Sequence, residues 1–270
     1  MDRRADRRRG AFSEWLDARQ GRGLYWFTRG MATAELGMTP QAFHVAVHRL
    51  AQKRRLARVH SDFYVIVPAE YRAPGVVPAD WFVVDLMAHL GVPFYVGVLT
   101  AAAYHGAAHQ RPQKYHVVTA KPMREIVCHE SALRFFWKAN PDRTLQQQIT
   151  GHTGYIPVST PEATAFDLLR YERSIGGLNR VMTVLQELAE ALDPRRLVAV
   201  ATSEGVVARA QRLGWLLEQA GGAPKAAGLA EWVDSRAPRF AKLDPRSPAT
   251  GSTRDDRWRL ILNYAVEGDL

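Results

Sequence analysis

The chain has 270 residues, of which 47% are hydrophobic and 23% are charged, and this composition excludes an intrinsically disordered protein. Its net charge of +9 is unevenly distributed, because residues 1–75 hold 14 Lys and Arg against 7 Asp and Glu while the rest of the chain is almost balanced. A basic first quarter on a near-neutral body indicates that the N-terminal part binds a polyanion.

The cysteine content and the apolar segments indicate a cytoplasmic protein without membrane contact. Cys128 is the single cysteine, so no intramolecular disulfide can form, which fits a reducing compartment. The N-terminus is basic but has no apolar run behind it, so it lacks the pattern of a signal peptide. The longest apolar stretch, residues 81–108, is interrupted by Asp85, Pro93 and His105. We interpret this stretch as buried helical packing and not as a membrane span.

The N-terminal segment begins with a basic tail, followed by two short predicted helices. The tail either is solvated or forms an arm that contacts phosphates or the minor groove. Its basic residues are Arg3, Arg4, Arg7, Arg8 and Arg9. The spacing of apolar residues predicts a helix over residues 11–20, and residues 24–27 form a β-prone run. Thr28 is suited to cap the next helix, which is expected to end at Gly37 in the left-handed conformation.

The following segment predicts a basic helix and a two-stranded wing. Thr39 is a suitable N-cap, and Pro40 fits the first helical position. After the helix, residues 58–60 and 63–67 are β-prone and are joined by a short polar turn. The order of helix, tight turn, basic helix and wing is typical of a winged helix-turn-helix, which places its second helix in the DNA major groove. The alternative interpretation is a protein-interaction module with a merely solvated basic face.

The two faces of the basic helix predict which residues contact DNA. The apolar face, expected to pack on the preceding helix, consists of Phe43, Ala46, Val47 and Leu50. On the opposite face, Gln41 can bond adenine, Val45 can contact a thymine methyl group and His48 can bond a base edge. The basic residues that follow the helix are expected to meet phosphates. The complete set of predicted DNA-binding residues is Thr39, Gln41, His44, Val45, His48, Arg49, Gln52, Lys53, Arg54, Arg55, Arg58 and His60.

A turn-rich linker at residues 73–78 divides the chain into two predicted domains, residues 1–75 and 76–270. Helices are predicted at residues 80–90 and 98–105, three more within 177–221, and another at 223–235. Five β-prone runs are predicted at residues 114–119, 125–129, 132–138, 144–150 and 154–158, and two more at 238–243 and 257–263. Ser159 or Thr160 caps a helix that ends near residue 169, and Pro161 favours Thr160. The sequence thus predicts an α+β protein, in which a winged helix-turn-helix precedes a mixed α/β domain.

The second domain contains no recognisable catalytic motif. His105, His109 and His116 are the candidates for a metal site, but Gly106 is expected to end the helix between the first two, so they do not share a face. Phosphate-binding, dinucleotide-binding and serine-hydrolase motifs are absent from the sequence. We therefore predict no enzymatic activity, no metal and no cofactor.

Other chemically capable residues of this domain are interpreted as structural. Glu162 and Asp167 lie five positions apart, about 140° around a helix, so their carboxylates are not expected to converge. Cys128 lies on a predicted strand and is expected to be a buried thiol. A set of aromatic and basic residues has two interpretations. It either forms a surface that binds nucleotides or RNA, or it serves in ordinary packing, and the second interpretation is favoured. This set is Tyr95, Tyr104, Arg111, Lys114 and Tyr115.

Five segments, in their order and spacing, resemble the AbiE-type antitoxins (AbiEi) over roughly residues 11–220. They are the helix–wing run ending in Val65-Ile66-Val67-Pro68, Phe94-Tyr95-Val96-Gly97 with the following residues 101–110, KYHVVT at 114–119, STPEATAFDLL at 159–169 and RLGWLLE at 212–218. The chain departs from the family where Arg54 replaces a frequent glycine, and again near Ser61-Asp62, where a second glycine is common. Because of these departures, the wing turn is expected to differ in shape from that of the family, and this difference affects its expected contact with DNA.

The resemblance implies a transcriptional autorepressor that binds inverted repeats in its own operon through a winged helix-turn-helix. It also implies a C-terminal α/β domain that counteracts a nucleotidyltransferase-like toxin of the AbiEii type in a phage-defence system. Many family members are type IV antitoxins, which act without a stable toxin complex, whereas others act by contact or on the toxin's modification state. Two alternatives remain: a DNA-binding regulator whose second domain senses a ligand or serves assembly, and a DNA-targeted nuclease or nucleotide-processing enzyme.

Overall fold

The computed structural model describes residues 3–107 and 112–267, with side chains described from residue 11 onward. Helices and strands are mixed throughout this part of the chain, so the predicted fold class is confirmed. The N-terminal elements are α1 (Arg3–Gly21), β1 (Trp26–Thr28), α2 (Arg29–Leu36), α3 (Pro40–Gln52), β2 (Leu56–His60) and β3 (Phe63–Ile66).

Local capping signals set the ends of α2 and α3. The Thr28 hydroxyl accepts a hydrogen bond from the Met31 backbone N–H at 3.2 Å, and Gly37 ends α2 in the left-handed region with φ of 59°. The Thr39 hydroxyl accepts from the Ala42 N–H at 3.2 Å, and Pro40 occupies the first turn of α3. Both predicted N-caps are therefore confirmed, since each satisfies a backbone donor that has no partner within the helix.

The three N-terminal strands form an antiparallel sheet in the order β1-β3-β2. All four residues of the central strand β3 are buried, because helices cover one face of the sheet and the second domain covers the other. Tyr64 and Ile66 pack on the helical side with Phe12 and Phe43, and Phe63 and Val65 point to the opposite side. The wing is thus a structural layer between the N-terminal helices and the second domain, and Arg58 is the exposed residue of β2.

The second domain is built on a six-stranded mixed sheet in the order β6-β7-β5-β4-β9-β8. Its strands are β4 (Phe94–Val96), β5 (Tyr115–Thr119), β6 (Ile126–Cys128), β7 (Ser131–Trp137), β8 (Gln146–Thr150) and β9 (Tyr155–Ser159). The helices are α4 (Val83–Leu90), α5 (Val98–Tyr104), α6 (Pro161–Arg170), α7 (Gly177–Leu188), α8 (Pro194–Glu204), α9 (Val207–Gln219) and α10 (Ala223–Asp234). The five predicted β-prone runs between residues 114 and 158 all form strands, and Thr160 is the cap of α6, as Pro161 indicated.

Two short strands of this domain were not predicted. The three-residue strand β4 pairs with β5 and β9 in the middle of the sheet, although the sequence around Pro93 indicated only a break. A second sheet has the order β10-β12-β11 and consists of β10 (Ala241–Lys242), β11 (Thr253–Asp255) and β12 (Leu260–Leu262). Strand β11 lies between the two predicted C-terminal β-prone runs, where no strand was predicted. Strands β4 and β11 have only three residues each and are too short to show an alternating pattern of apolar and polar residues. They are therefore defined only by pairing with other strands in the folded chain.

One cluster of buried apolar side chains contains residues from both sides of the predicted domain boundary. Val59, Phe63 and Val65 of the wing belong to the same buried cluster as Leu86 of α4 and Leu133 of β7. The residues 73–78 linker therefore joins two units that share a core. No helix in the described ranges combines the length and apolar character needed to cross a membrane.

Candidate nucleic-acid interface

The outward face of α3 is accessible to a ligand along its whole length. Gln41, Val45, His48 and Gln52 are exposed, and Val45 has 63% of its surface accessible although its side chain is purely apolar. On the opposite face Phe43 and Leu50 are buried with Ala46 in the N-terminal core. The helix is therefore amphipathic in the predicted orientation, and its polar stripe is free to meet a partner.

Several predicted contact residues of α3 already have local interactions. The His48 Nε2 and Gln52 Nε2 atoms lie 3.1 Å apart, so the two side chains are held together one helical turn apart on the exposed face. The exposed His44 ring packs edge-on against Phe43, with 6.1 Å between ring centroids. Arg49 is half-buried and its buried Nε atom has no hydrogen-bond partner in the described residues. Thr39 uses its hydroxyl as the helix cap.

The basic residues after α3 divide into free and engaged groups. Lys53 is exposed and is the C-cap residue of α3, so its ammonium group is available to a phosphate. Arg58 is exposed, but its Nε donates to the Ser61 carbonyl at 2.7 Å and so stabilises the wing turn. His60 Nδ1 lies 3.1 Å from the Ser61 hydroxyl in the same turn.

Arg54 and Arg55 have partners within the protein, which the sequence did not indicate. The Arg54 guanidinium donates to the backbone carbonyls of Arg72 and Ala73 at 3.2 and 2.7 Å, and it thereby ties the end of α3 to the linker. Arg54 has φ of 50°, in the left-handed region. Arg55 Nη2 donates to the Asp17 carboxylate of α1. Both guanidinium groups would have to exchange or share these partners in order to bind phosphate.

The wing turn contacts the second domain. His89 Nε2 of α4 lies 3.0 Å from Asp62 Oδ1, and the Cys128 Sγ atom lies 3.6 Å from the Arg58 carbonyl, which it faces as a donor. Burial raises the pKa of the Cys128 thiol to about 11, so the predicted buried thiol is confirmed and remains protonated at neutral pH. The wing is therefore held at its turn and along β2 by the domain that follows it.

Arg29 is a candidate that sequence reasoning missed. It is exposed at the first position of α2, and its backbone N–H donates to the Asp62 carbonyl in the wing turn at 3.1 Å. An exposed cation at a helix N-terminus is placed where DNA phosphates are commonly bound. The signal in the sequence is the pair Thr28-Arg29, in which a basic residue directly follows a cap.

The histidines and carboxylates of the second domain are separated by the fold. His105 is the C-cap residue of α5, and its Nε2 lies 2.7 Å from the Ser159 carbonyl. His116 lies in β5, where its ring packs against Phe136, and His109 lies outside the described residues. No group of three or more potential metal ligands occurs within residues 3–107 and 112–267.

Glu162 and Asp167 of α6 are both buried and have separate structural partners. Glu162 Oε1 accepts from the Asp193 N–H at 2.9 Å, whereas Asp167 Oδ2 accepts from the Tyr95 hydroxyl at 2.7 Å. Tyr95 is buried, and the hydroxyl groups of the half-buried Tyr104 and Tyr115 lie 3.2 Å apart. The aromatic set considered for base stacking is therefore used in packing, while Arg111 lies outside the described residues.

Comparison with known proteins relates the second domain to a family and the whole chain to a known fold. Residues 95–219 match the family model of the AbiEi antitoxin C-terminal domain. The crystal structure of the RV2827C protein from Mycobacterium tuberculosis is similar, with a TM-score of 0.62 at 14% sequence identity, and the match covers 92% of this chain and 90% of that chain. At this identity the likeness concerns the fold alone. No curated protein shows significant sequence similarity to the chain.

Proposed function

We propose, from the premise that the chain carries an AbiEi antitoxin C-terminal domain at residues 95–219, that it is a DNA-binding autorepressor and the antitoxin of a nucleotidyltransferase-like toxin. The family match supports a role as an antitoxin or regulator in a toxin–antitoxin system. We further propose that the chain binds DNA, that this DNA is an operator in its own operon and that the toxin is of the nucleotidyltransferase type.

The observation that carries DNA binding is the exposed stripe of α3. Gln41, Val45 and His48 present an amide, a methyl pair and an imidazole on one accessible face, and these groups can read base edges in a major groove. Lys53 and Arg58 follow at one end, and Arg29 lies at the start of α2, where backbone phosphates flank a docked helix. The N-terminal unit thus offers both side chains that can recognise bases and cations that can bind phosphates.

The antitoxin activity is proposed for the second domain. The match of residues 95–219 to the AbiEi antitoxin C-terminal domain supports this role. We propose operation in the cytoplasm, where the operator and the toxin are both found.

Co-expression tests the two activities together. The full-length chain is expressed with the product of its neighbouring gene, and both growth and a reporter fused to the promoter upstream of the chain's own gene are measured. We expect the chain to restore growth and to repress the reporter. The double variant Gln41→Ala/His48→Ala should lose repression but keep growth rescue, because the substituted side chains are exposed and far in sequence from the antitoxin domain.

The matched control is Arg124→Ala, which removes an exposed cation of the second domain and should leave repression intact. Failure of the full-length chain to restore growth would refute the antitoxin assignment. Repression that is equally strong in the double variant would refute recognition by α3.

A further inference from the structure

A small polar cleft opens in the second domain where β7, α6 and α8 end. Lys138 follows β7, Arg170 is the last residue of α6 and Glu204 is the last residue of α8. A short 3-10 helix at Pro141–Arg143 forms the opposite wall. The cleft has a volume of about 200 Å³. It lies outside the DNA interface and is not used by the proposed function.

A buried charge network forms the floor of the cleft. The Lys138 Nζ lies 3.4 Å from Asp167 Oδ1 and 3.4 Å from the Tyr95 hydroxyl, and it also contacts the Glu204 carboxylate. The side chain of Lys138 is 8% exposed and that of Asp167 is 1% exposed. Groups this deeply buried retain charge only when partners compensate them. The network therefore has to balance its charges locally.

The cations around the cleft exceed the anions. Glu204 Oε2 lies 3.1 Å from Arg209 Nη1 and 3.7 Å from Arg170 Nη1, so one carboxylate is shared by two guanidinium groups in addition to Lys138. Arg143 adds a further cation on the exposed rim. Three cationic side chains, Lys138, Arg143 and Arg170, thus line the cleft with one carboxylate, Glu204, whereas Arg209 and Asp167 contact this network without lining the cleft. Burial raises the pKa of Asp167, while Lys138 and the Tyr95 hydroxyl act in the opposite direction.

Neutral donors complete the lining. Thr144 lines the cleft and is only 8% exposed, and its hydroxyl lies beside the Tyr95 side chain. The exposed Asn140 provides an amide at the rim. The lining of the cleft thus includes a hydroxyl and an amide besides its cations.

We propose that this cleft binds the phosphate group of a small-molecule ligand. Arginine forks, a lysine, a hydroxyl and an amide are the donors that recognise phosphate oxygens, and here they surround one cavity with an excess of positive charge. The volume is below the roughly 300–1,000 Å³ of typical sites for whole organic ligands. One or two phosphate groups fit inside, and the remainder of a larger molecule such as a nucleotide lies outside. The bound anion shares Lys138 and Arg170 with Glu204, so that the carboxylate keeps its compensating cations.

Ligand-induced stabilisation of the full-length chain tests this proposal. Thermal unfolding is followed with inorganic phosphate, pyrophosphate or ATP against sodium chloride at the same ionic strength, and affinities are measured by calorimetric titration. We expect the phosphate compounds to raise Tm by roughly 5 °C at saturating concentration, with no effect of adenosine. Equal affinities for pyrophosphate and ATP would identify the phosphate groups as the ligand, and at least about tenfold tighter binding of ATP would identify a nucleotide.

Variants separate this cleft from the basic N-terminal surface. Arg143→Ala removes an exposed rim cation and should weaken phosphate binding at least about tenfold, and Thr144→Val removes only the hydroxyl and should weaken it in the same direction. The matched control Arg173→Ala removes an exposed arginine near α6 that does not line the cleft and should bind like the unmodified chain. A Tm increase that is identical in chloride, or identical affinities in the unmodified chain and Arg143→Ala, would overturn the proposal.

Discussion

At the residue scale, Arg54 shows how a side chain can compensate for an unfavourable backbone conformation. Its φ of 50° lies in the left-handed region, which costs a residue other than glycine about 1–2 kcal/mol. Its guanidinium recovers part of this cost through two hydrogen bonds to linker carbonyls. The resemblance had identified this position as one where glycine is frequent, and the backbone conformation gives the reason.

We predict that Arg54→Gly is more stable than Arg54→Ala. Both variants lose the guanidinium, but only alanine keeps the left-handed strain, so the difference in unfolding free energy should be about 0.5–1 kcal/mol after the greater chain entropy of glycine is included. Urea denaturation of the two full-length variants measures it. At the neighbouring Lys53, where φ is −84°, we expect Lys53→Ala to be more stable than Lys53→Gly. Equal stability of the two Arg54 variants would contradict this account.

His116 provides a pH-dependent contribution to stability. Burial, followed by the positive charges of Arg134 and Lys114, lowers the pKa of His116 to about 4, whereas an unfolded histidine titrates near about 6.5. Between these values the unfolded chain binds a proton that the folded chain does not. The contribution of His116 to stability is therefore complete above about pH 6.5 and is lost as the pH falls towards 4.

We predict that His116→Gln flattens the pH profile of stability in this window. The unmodified chain should lose up to about 3 kcal/mol more than the variant between pH 6.5 and 4, since each pKa unit corresponds to about 1.4 kcal/mol. The measurement is the free energy of unfolding in urea at several pH values. Parallel profiles for the two proteins would show that His116 is not buried in its neutral form.

At the scale of the elements, a glycine in α9 allows the last part of the chain to dock. Gly214 faces the ring of Trp258, which is fully buried, and a Cβ atom at this glycine would lie 2.0 Å from two ring carbons. Glycine normally weakens a helix, so its presence in the RLGWLLE segment is explained by this close approach of a ring to a helix backbone.

We predict that Gly214→Ala destabilises the protein by about 3–5 kcal/mol, the cost of displacing a buried tryptophan. The change should also increase the accessibility of Trp258, which quenching of tryptophan fluorescence can report. Gly228→Ala in α10 is the matched control, because the nearest atom to its new Cβ is a Val198 methyl carbon at 3.5 Å. That control should be neutral or slightly stabilising. A stable Gly214→Ala variant would contradict the described packing.

The elements also show what could be predicted from the sequence and what could not. The ends of α2, α3 and α6 were predicted because Thr28, Thr39 and Thr160 act on backbone groups three residues away. The ion pair between Arg55 and Asp17 was not predicted, because the two residues are 38 positions apart and meet only in the folded chain. For the same reason the cleft was missed: its side chains come from several elements that meet only in the folded chain.

At the scale of the whole molecule, the DNA-reading unit and the second domain share a core. Val59, Phe63 and Val65 are buried by residues beyond the linker, and each contributes about 1.5–3 kcal/mol of burial energy. Their sum is comparable to the total stability of a typical domain, about 5–15 kcal/mol. The N-terminal unit therefore depends on the rest of the chain, and experiments on DNA binding require the full-length protein.

Selection of duplexes from a random-sequence DNA library by the full-length chain tests the central claim, that the exposed face of α3 reads DNA sequence. We predict that the unmodified chain enriches one sequence motif, and that the variant Gln41→Ala/Val45→Ala/His48→Ala, whose substituted residues are all exposed, remains folded but no longer enriches it. Recovery of the same motif by both proteins, or of no motif by either, would contradict the account.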